Sequence, residues 1–233
     1  MTRKSKMDFS GKQVVVTGGT GALGNAVVGA LLQAGAQCIV PYIVEAEAQR
    51  FVHRGKVKLI EVPDLADEAS VDLVYEDATP WASIHIAGGF ATGKVADTDK
   101  AALTAQLDTN LISCFLCCRA AVRAMRGGGR IVNIAARPAL EWRSGAGMAA
   151  YTVAKTGVAA LTLALAEEVA KDGILVNAVA PSIMDTPANR GAMPKADFTA
   201  WPKVEEVAAT ILFLASADNK VTRGAIVPVY GKA

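Results

Sequence analysis

Apolar and polar positions change period repeatedly along the chain. Short, near-continuous apolar runs alternate with stretches whose apolar residues recur every three or four positions, strand and helix patterns respectively. "KQVVVTGG" (12–19) reads as a buried strand ending in glycines, and "GNAVVGALLQAG" (24–35) as a helix closed by Gly35. "AQCIVPYI" (36–43) and "KVKLIEVPD" (56–64) read as strands two and three, with Pro41 awkward in the former. "ASVDLVYED" (69–77) follows as a helix and "ASIHIAGG" (82–89) as a fourth strand, again ending in glycines. A long helix from 99 stops at Gly127 to Gly129, and a second, 149–173, stops at Gly173. "RIVNIAA" (130–136), "ILVNAVAPS" (174–182) and "GAIVPVYG" (224–231) complete the strands, with a helix over 203–216.

This alternation predicts an α/β fold: one doubly wound parallel sheet of about seven strands with helices on both faces. Parallel strands covered on both sides carry unbroken apolar runs of this kind. No Pro/Ser-rich linker interrupts 1–233 and no repeat recurs, so one domain is expected, with 1–10 a short tail. A ligand should bind beyond the carboxyl ends of the strands.

Composition agrees with a sizeable core, at 52% hydrophobic and a mean hydropathy of +0.31. A net charge of +2 gives no reason to expect a nucleic-acid or anionic-membrane partner. "MTRKSKM" is basic without an apolar continuation, unlike a secretory signal. The apolar segments read as broken short of the ~20 residues a membrane span needs, and a cytoplasmic chain is expected. Cys114, Cys117 and Cys118 recur at helical spacing, the stripe of a buried helix face. His53 and His85 lie far upstream in sequence, so reduced buried thiols are expected there and no metal.

The chemistry begins at "VTGGTGALGNAVV". Gly19, Gly21 and Gly24 form G-x-G-x-x-G, and Gly18 adds a second overlapping spacing. Between a strand and an apolar helix, such a turn lets the backbone approach a pyrophosphate and aims helix N–H groups at it. Gly18, Thr20, Gly21, Ala22 and Leu23 are the expected contacts. An acid near the end of strand two would hold the adenosine ribose. Tyr42 stands there instead, with Glu45 and Glu47 slightly beyond and Arg50 the nearest base, so NAD and NADP both stay open. Asp64, followed by Leu65, suits either an adenine contact or a helix cap.

Tyr151 and Lys155 are four residues apart and share a helix face. A phenol, with pKa ~10, is a poor acid–base group near neutrality. A nearby ammonium favours the phenolate, so the tyrosine can exchange a proton with a substrate while hydride moves at a nicotinamide.

With these motifs together the chain resembles the short-chain dehydrogenase/reductase family. The resemblance runs through "TGGTGALG", "IAGG", Asn110 in "LDTNLIS", "YTVAK" and "VNAVAPSIMDT". It implies a Rossmann-type fold, NAD or NADP as coenzyme, a small-molecule substrate, and a homodimer or homotetramer built on the two long helices. It gives Tyr151 the proton transfer, Lys155 the nicotinamide ribose and Asn110 a relay water. Ala87, Gly88, Gly89, Pro181, Ile183 and Thr186 fall where the family touches the coenzyme. The departure is at strand five. "GRIVNIAA" puts Ala136 where the family's substrate-polarising serine stands, and Ser144 is the sole serine between that strand and Tyr151.

A branch without that serine, the quinonoid dihydropteridine reductases, is similar at several points: Gly18 to Gly24, Ala87 to Phe90, Gly147–Met148, and "DTPANRGAMPKADFTAW" (185–201). The similarity implies an electron-poor, easily reduced acceptor. Trp142, Met148, Met184, Phe198 and Trp201 are then candidates for its wall beside Ala136, in a substrate loop over 182–203. Phe198 and Trp201 suit a lid or core role equally well. A 3-oxoacyl or ketone reductase, and a non-catalytic dinucleotide sensor, are the alternatives.

Overall fold

The computed structural model describes residues 7–232. Of the tail expected over 1–10, residues 1–6 lie outside the described residues, and the rest needs correction. Phe9 is fully buried against the layer of the first helix, Ala22–Gln33, and its N–H donates to the Ala34 carbonyl at 2.9 Å, because an aromatic ring beside an apolar helix gains more from burial than from solvent. Seven strands form one sheet in the order β3-β2-β1-β4-β5-β6-β7. They are β1 (Gln13–Thr17), β2 (Gln37–Tyr42), β3 (Lys58–Glu61), β4 (Ala82–His85), β5 (Gly129–Ile134), β6 (Ile174–Pro181) and β7 (Ile226–Val229). Every pairing is parallel. The order reverses between β1 and β4, opening a crevice at their carboxyl ends, where ligands bind in such sheets.

The helices are α1 (Ala22–Gln33), α2 (Glu45–Arg50), α3 (Glu68–Tyr75), α4 (Lys100–Leu107), α5 (Ser113–Ala124), α6 (Arg137–Leu140), α7 (Ala149–Glu168), α8 (Pro187–Ala192) and α9 (Val204–Ala215). Strand alternation divides the core into two layers. Val14 and Val16 face α1 and α9 through Val27, Leu31, Val207 and Ile211. Val15, Ile131 and Val176 face α3, α5 and α7 through Val71, Cys117, Val158 and Leu165. Pro41 is tolerated because the β1–β2 ladder ends at Val15–Ile39, so it lies past the last rung on that side.

Two further expectations need correction. The helix starting near residue 99 is not uniform: five residues, Asp108–Ile112, form a π turn between α4 and α5. Nor are the long helices too interrupted to span a bilayer. Lys100–Ala124 and Ala149–Glu168 are both long and apolar enough by length and composition. Scattered charges in the first, and one glycine and one lysine in the middle of the second, do not break helices rich in alanine and leucine. Here both pack beside the sheet and each other, with Phe115, Val153 and Leu163 about half exposed on their outer faces.

Candidate active site

The crevice is built first from the turn after β1. Gly18 has φ +65, and a Cβ there would stand 2.6 Å from the Ala87 nitrogen. Only a glycine lets the β1 and β4 ends approach this closely. Gly24 is tighter still, since its Cβ would lie 2.1 Å from the Gly18 carbonyl oxygen. Asn25, not singled out by sequence reasoning, braces the turn: its side-chain amide donates to the Thr20 and Gly21 carbonyls at 2.9 and 3.1 Å. An asparagine directly after the last glycine was the available signal. Gly21 is the N-cap of α1 and no side chain caps the helix, so its first N–H groups remain free for an anion.

Lys155 lies on the first turns of α7 and is buried. Its ammonium donates to the Ile134 carbonyl, the last residue of β5, at 2.9 Å. Burial holds its pKa down at about 8, with a smaller opposing effect from Cys114. Its Nζ lies 6.0 Å from the Tyr151 ring centroid, on the same helix face. Burial pushes the Tyr151 phenol up to about 12. Phe90 meets the Tyr151 ring edge-on at 5.0 Å between centroids. Phe90, 62% exposed, is a neighbour that the choice of site residues missed, although its place after Gly89 was noted.

Asn110 is buried inside the π turn. Its Oδ1 accepts from the Gly89 N–H at 3.2 Å and its Nδ2 donates to the Gly89 and Gln106 carbonyls, each at 3.0 Å. A Cβ on Gly88 would meet Asn110 Oδ1 at 2.7 Å and Lys155 Nζ at 3.3 Å. The structure therefore brings Gly88, Gly89, Asn110 and Lys155 together.

Ala136 is buried, directly before α6. Ser144 does not replace the absent hydroxyl: it is exposed and its Oγ donates to the Glu141 carbonyl at 2.7 Å. Met148 is joined through a bridge to Gly93, which ties the loop after β4 to the start of α7. Trp142 is 71% exposed, donates its indole N–H to the Ala139 carbonyl at 3.1 Å and lines a shallow groove with Thr152, Val153 and Thr156 of α7.

Pro181 ends β6 at the carboxyl edge of the sheet, with Ile183 two residues further on. Thr186 caps α8 by accepting from the Asn189 N–H at 3.2 Å. Met184 packs against the α1–α9 layer of the core. Arg190 grips Asp185 through two bonds of 2.6 and 2.8 Å and lies 4.9 Å from the Phe198 ring. Phe198 stands 5.0 Å from Trp201, which is buried. The segment thus braces itself. Tyr42 ends β2. Asp64 spends its carboxylate on the Ala66 N–H at 2.8 Å, and the helix cap is Asp67 instead. Leu65 is buried in the α3 layer.

The cysteine stripe is buried as expected, and all four cysteines are free thiols. Its isolation from histidine was misjudged. His85 on β4 brings a ring nitrogen within 4.8 Å of the Cys114 and Cys118 sulfurs. Sequence separation hid this contact, which strand pairing creates. The ring is already hydrogen-bonded on both sides, to Asn133 Oδ1 and to Ser83 Oγ, each at 2.8 Å.

Residues 19–231 match the family model described as Enoyl-(Acyl carrier protein) reductase. A galactitol 2-dehydrogenase of Rhizobium johnstonii is 34% identical, over 98% of this chain and 97% of its own. A 3-oxoacyl-(acyl-carrier-protein) reductase of Pseudomonas aeruginosa is 30% identical, over 97% of this chain and 98% of its own. Among solved structures, a blue fluorescent protein from a metagenomic library in complex with NADPH has a TM-score of 0.86 at 28% identity, covering 97% of this chain and 99% of its own. The chain belongs to the short-chain dehydrogenase/reductase family, and it is an NAD(P)-dependent oxidoreductase. The reading as a non-catalytic sensor gives way to that of an enzyme.

Proposed function

We propose that the chain is an NAD(P)H-dependent reductase acting on an activated acceptor, with a quinonoid dihydropterin the first to test. One observation carries this reading: β5 leads into a buried alanine at 136, and the hydroxyl of Ser144 is spent on Glu141. An ordinary ketone loses about 10²–10³ in rate when such a polarising donor is removed. An electron-poor, conjugated acceptor loses less.

The residues fit the coenzyme. The free N-terminus of α1 and the glycine turn would take its pyrophosphate. Ala87 to Gly89, Pro181, Ile183 and Thr186 would border its nicotinamide half, and Lys155 its ribose. When bound, the nicotinamide supplies a hydride. Tyr151 enters the reaction protonated, because burial raises its pKa, and so acts as proton donor. Asn110 straps the Gly88–Gly89 backbone in place against α4. Met148, Met184, Phe198 and Trp201 would bound the acceptor within the 182–203 segment; the Asp185–Arg190 pair supports such a role by holding that segment together.

The test is oxidation of NADH and NADPH with quinonoid dihydropterin beside a panel of small ketones. Turnover with the quinonoid acceptor should exceed that with ketones by about hundredfold or more, and Ala136→Ser should narrow the gap by speeding ketones. Fast ketone turnover, unmoved by Ala136→Ser, would favour a 3-oxoacyl or ketone reductase. The similarity to the Pseudomonas aeruginosa enzyme keeps that second reading in play.

The half-exposed Phe115, Val153 and Leu163 on adjacent helices support assembly into a homodimer or homotetramer. Phe115→Glu should lower the mass measured by light scattering while the fold, followed by circular dichroism, is kept. An unchanged mass would place the subunit contact elsewhere.

A further inference from the structure

We infer that Glu47 sets the coenzyme preference of this chain, and sets it toward NAD(H). The inference rests on the coenzyme site proposed above and is independent of the acceptor. The end of β2 carries Tyr42, which supplies no carboxylate for the ribose. A carboxylate nevertheless reaches the rim of the crevice, from the following helix. Glu47 lies in the first turn of α2, and its Oε2 accepts a hydrogen bond from Thr20 Oγ1 at 3.0 Å. Thr20 is part of the glycine turn, and its carbonyl is held from beneath by Asn25. The acid is therefore tethered to the very loop that would wrap the pyrophosphate, across 27 residues of sequence.

Carboxylates gather at this rim. Glu45 shares the turn with Glu47, and Glu45 and Glu61 both act on the Tyr42 phenol, which burial and these carboxylates hold above its ordinary range. The one base on α2 is Arg50, and its Nε donates to the Ala46 carbonyl on its own helix at 3.0 Å. A 2′-phosphate placed here would meet the Glu47 carboxylate at close range and be repelled by it. Ribose hydroxyls would instead donate to the carboxylate in charge-assisted hydrogen bonds. Because the Thr20 bond orders the side chain beforehand, less entropy is lost when the ligand arrives.

Binding is to be measured without acceptor, by the change in nicotinamide fluorescence as NADH or NADPH is titrated with wild type, Glu47→Gln and Glu47→Arg. Glu47 is exposed, and thermal melts check that the variants fold. Wild type should bind NADH about tenfold or more tightly than NADPH, as one unit charge facing a phosphate at the surface implies. Glu47→Gln should shrink this ratio to about threefold, mostly by tightening NADPH, and raising salt should shrink it for wild type. Glu47→Arg should invert it. A purely structural brace on the glycine turn would weaken both coenzymes together and lower the melting temperature. Equal or tighter NADPH binding by wild type overturns the inference, as does an unchanged ratio in Glu47→Gln. Binding of neither coenzyme overturns it too. A chain that prefers NADH yet reduces no quinonoid acceptor would sink only the reductase reading.

Discussion

Tyr151→Phe should lower turnover by about 10²–10⁴, the ordinary worth of a positioned acid. NADH affinity should be unchanged, since the substitution removes one oxygen from a ring that Phe90 continues to flank. The expected loss follows from where the proton sits. Burial holds the phenol near 12, so it stays protonated across the working range and has a proton to give. Lys155, on the same face, is held near 8 by burial. Above that pH its charge fades, and reduction should decline on the alkaline side although the tyrosine itself has not ionised. Stopped-flow single turnovers from pH 6 to 10 would resolve the two effects. Full turnover in Tyr151→Phe would remove the tyrosine as donor and leave the family assignment standing.

Lys155→Met should be nearly inactive, yet its stability should change with pH in an unusual direction relative to wild type. The folded chain holds the Lys155 proton with a pKa of about 8, against 10.5 for the ordinary side chain. Between those values the unfolded chain is protonated and the folded chain is not. Stability rises with pH wherever the unfolded state binds more protons. Wild type should therefore gain on Lys155→Met between pH 8 and 10.5, by up to about 3 kcal/mol at the usual 1.36 kcal/mol per unit. Below pH 8 both states of wild type hold the proton, and the folded one bears the cost of a buried ammonium. Urea unfolding of both proteins at several pH values measures the slope. Comparing slopes removes the separate cost of leaving the Ile134 carbonyl without its partner. A flat difference across the window would mean that Lys155 is better solvated than its burial implies.

The strands were legible because each is covered on both faces and so reads as a continuous apolar run. The glycine turn, Tyr151, Lys155 and Ala136 were legible because their spacing or position within an element carries the meaning. What sequence hid was contact between distant segments. Nothing in the run around His85 announces Cys114 and Cys118, and only the β4–β5 register joins His85 to Asn133. Nor does the run around Trp142 announce the 3-10 turn over Trp142–Gly145, which sets the indole beside Thr152 and Val153. Glu47 was visible as an acid close to the right place, but its attachment to Thr20 depends on how α2 folds back over the crevice.

The π turn at Asp108–Ile112 has a consequence for angular phase. Each residue of an α-helix advances the face by roughly 100°, so one extra residue held in a wide turn rotates everything beyond it by about that much. Asn110 sits inside that turn, and Cys114, Cys117 and Cys118 follow four, seven and eight residues on, a spacing that keeps all four on one face. What the wide turn re-aims is the segment before it: α4 buries no residue, whereas α5 turns its cysteine stripe into the sheet. Deleting one residue from the turn would swing α4 by about 100° against a stripe that the sheet holds fixed.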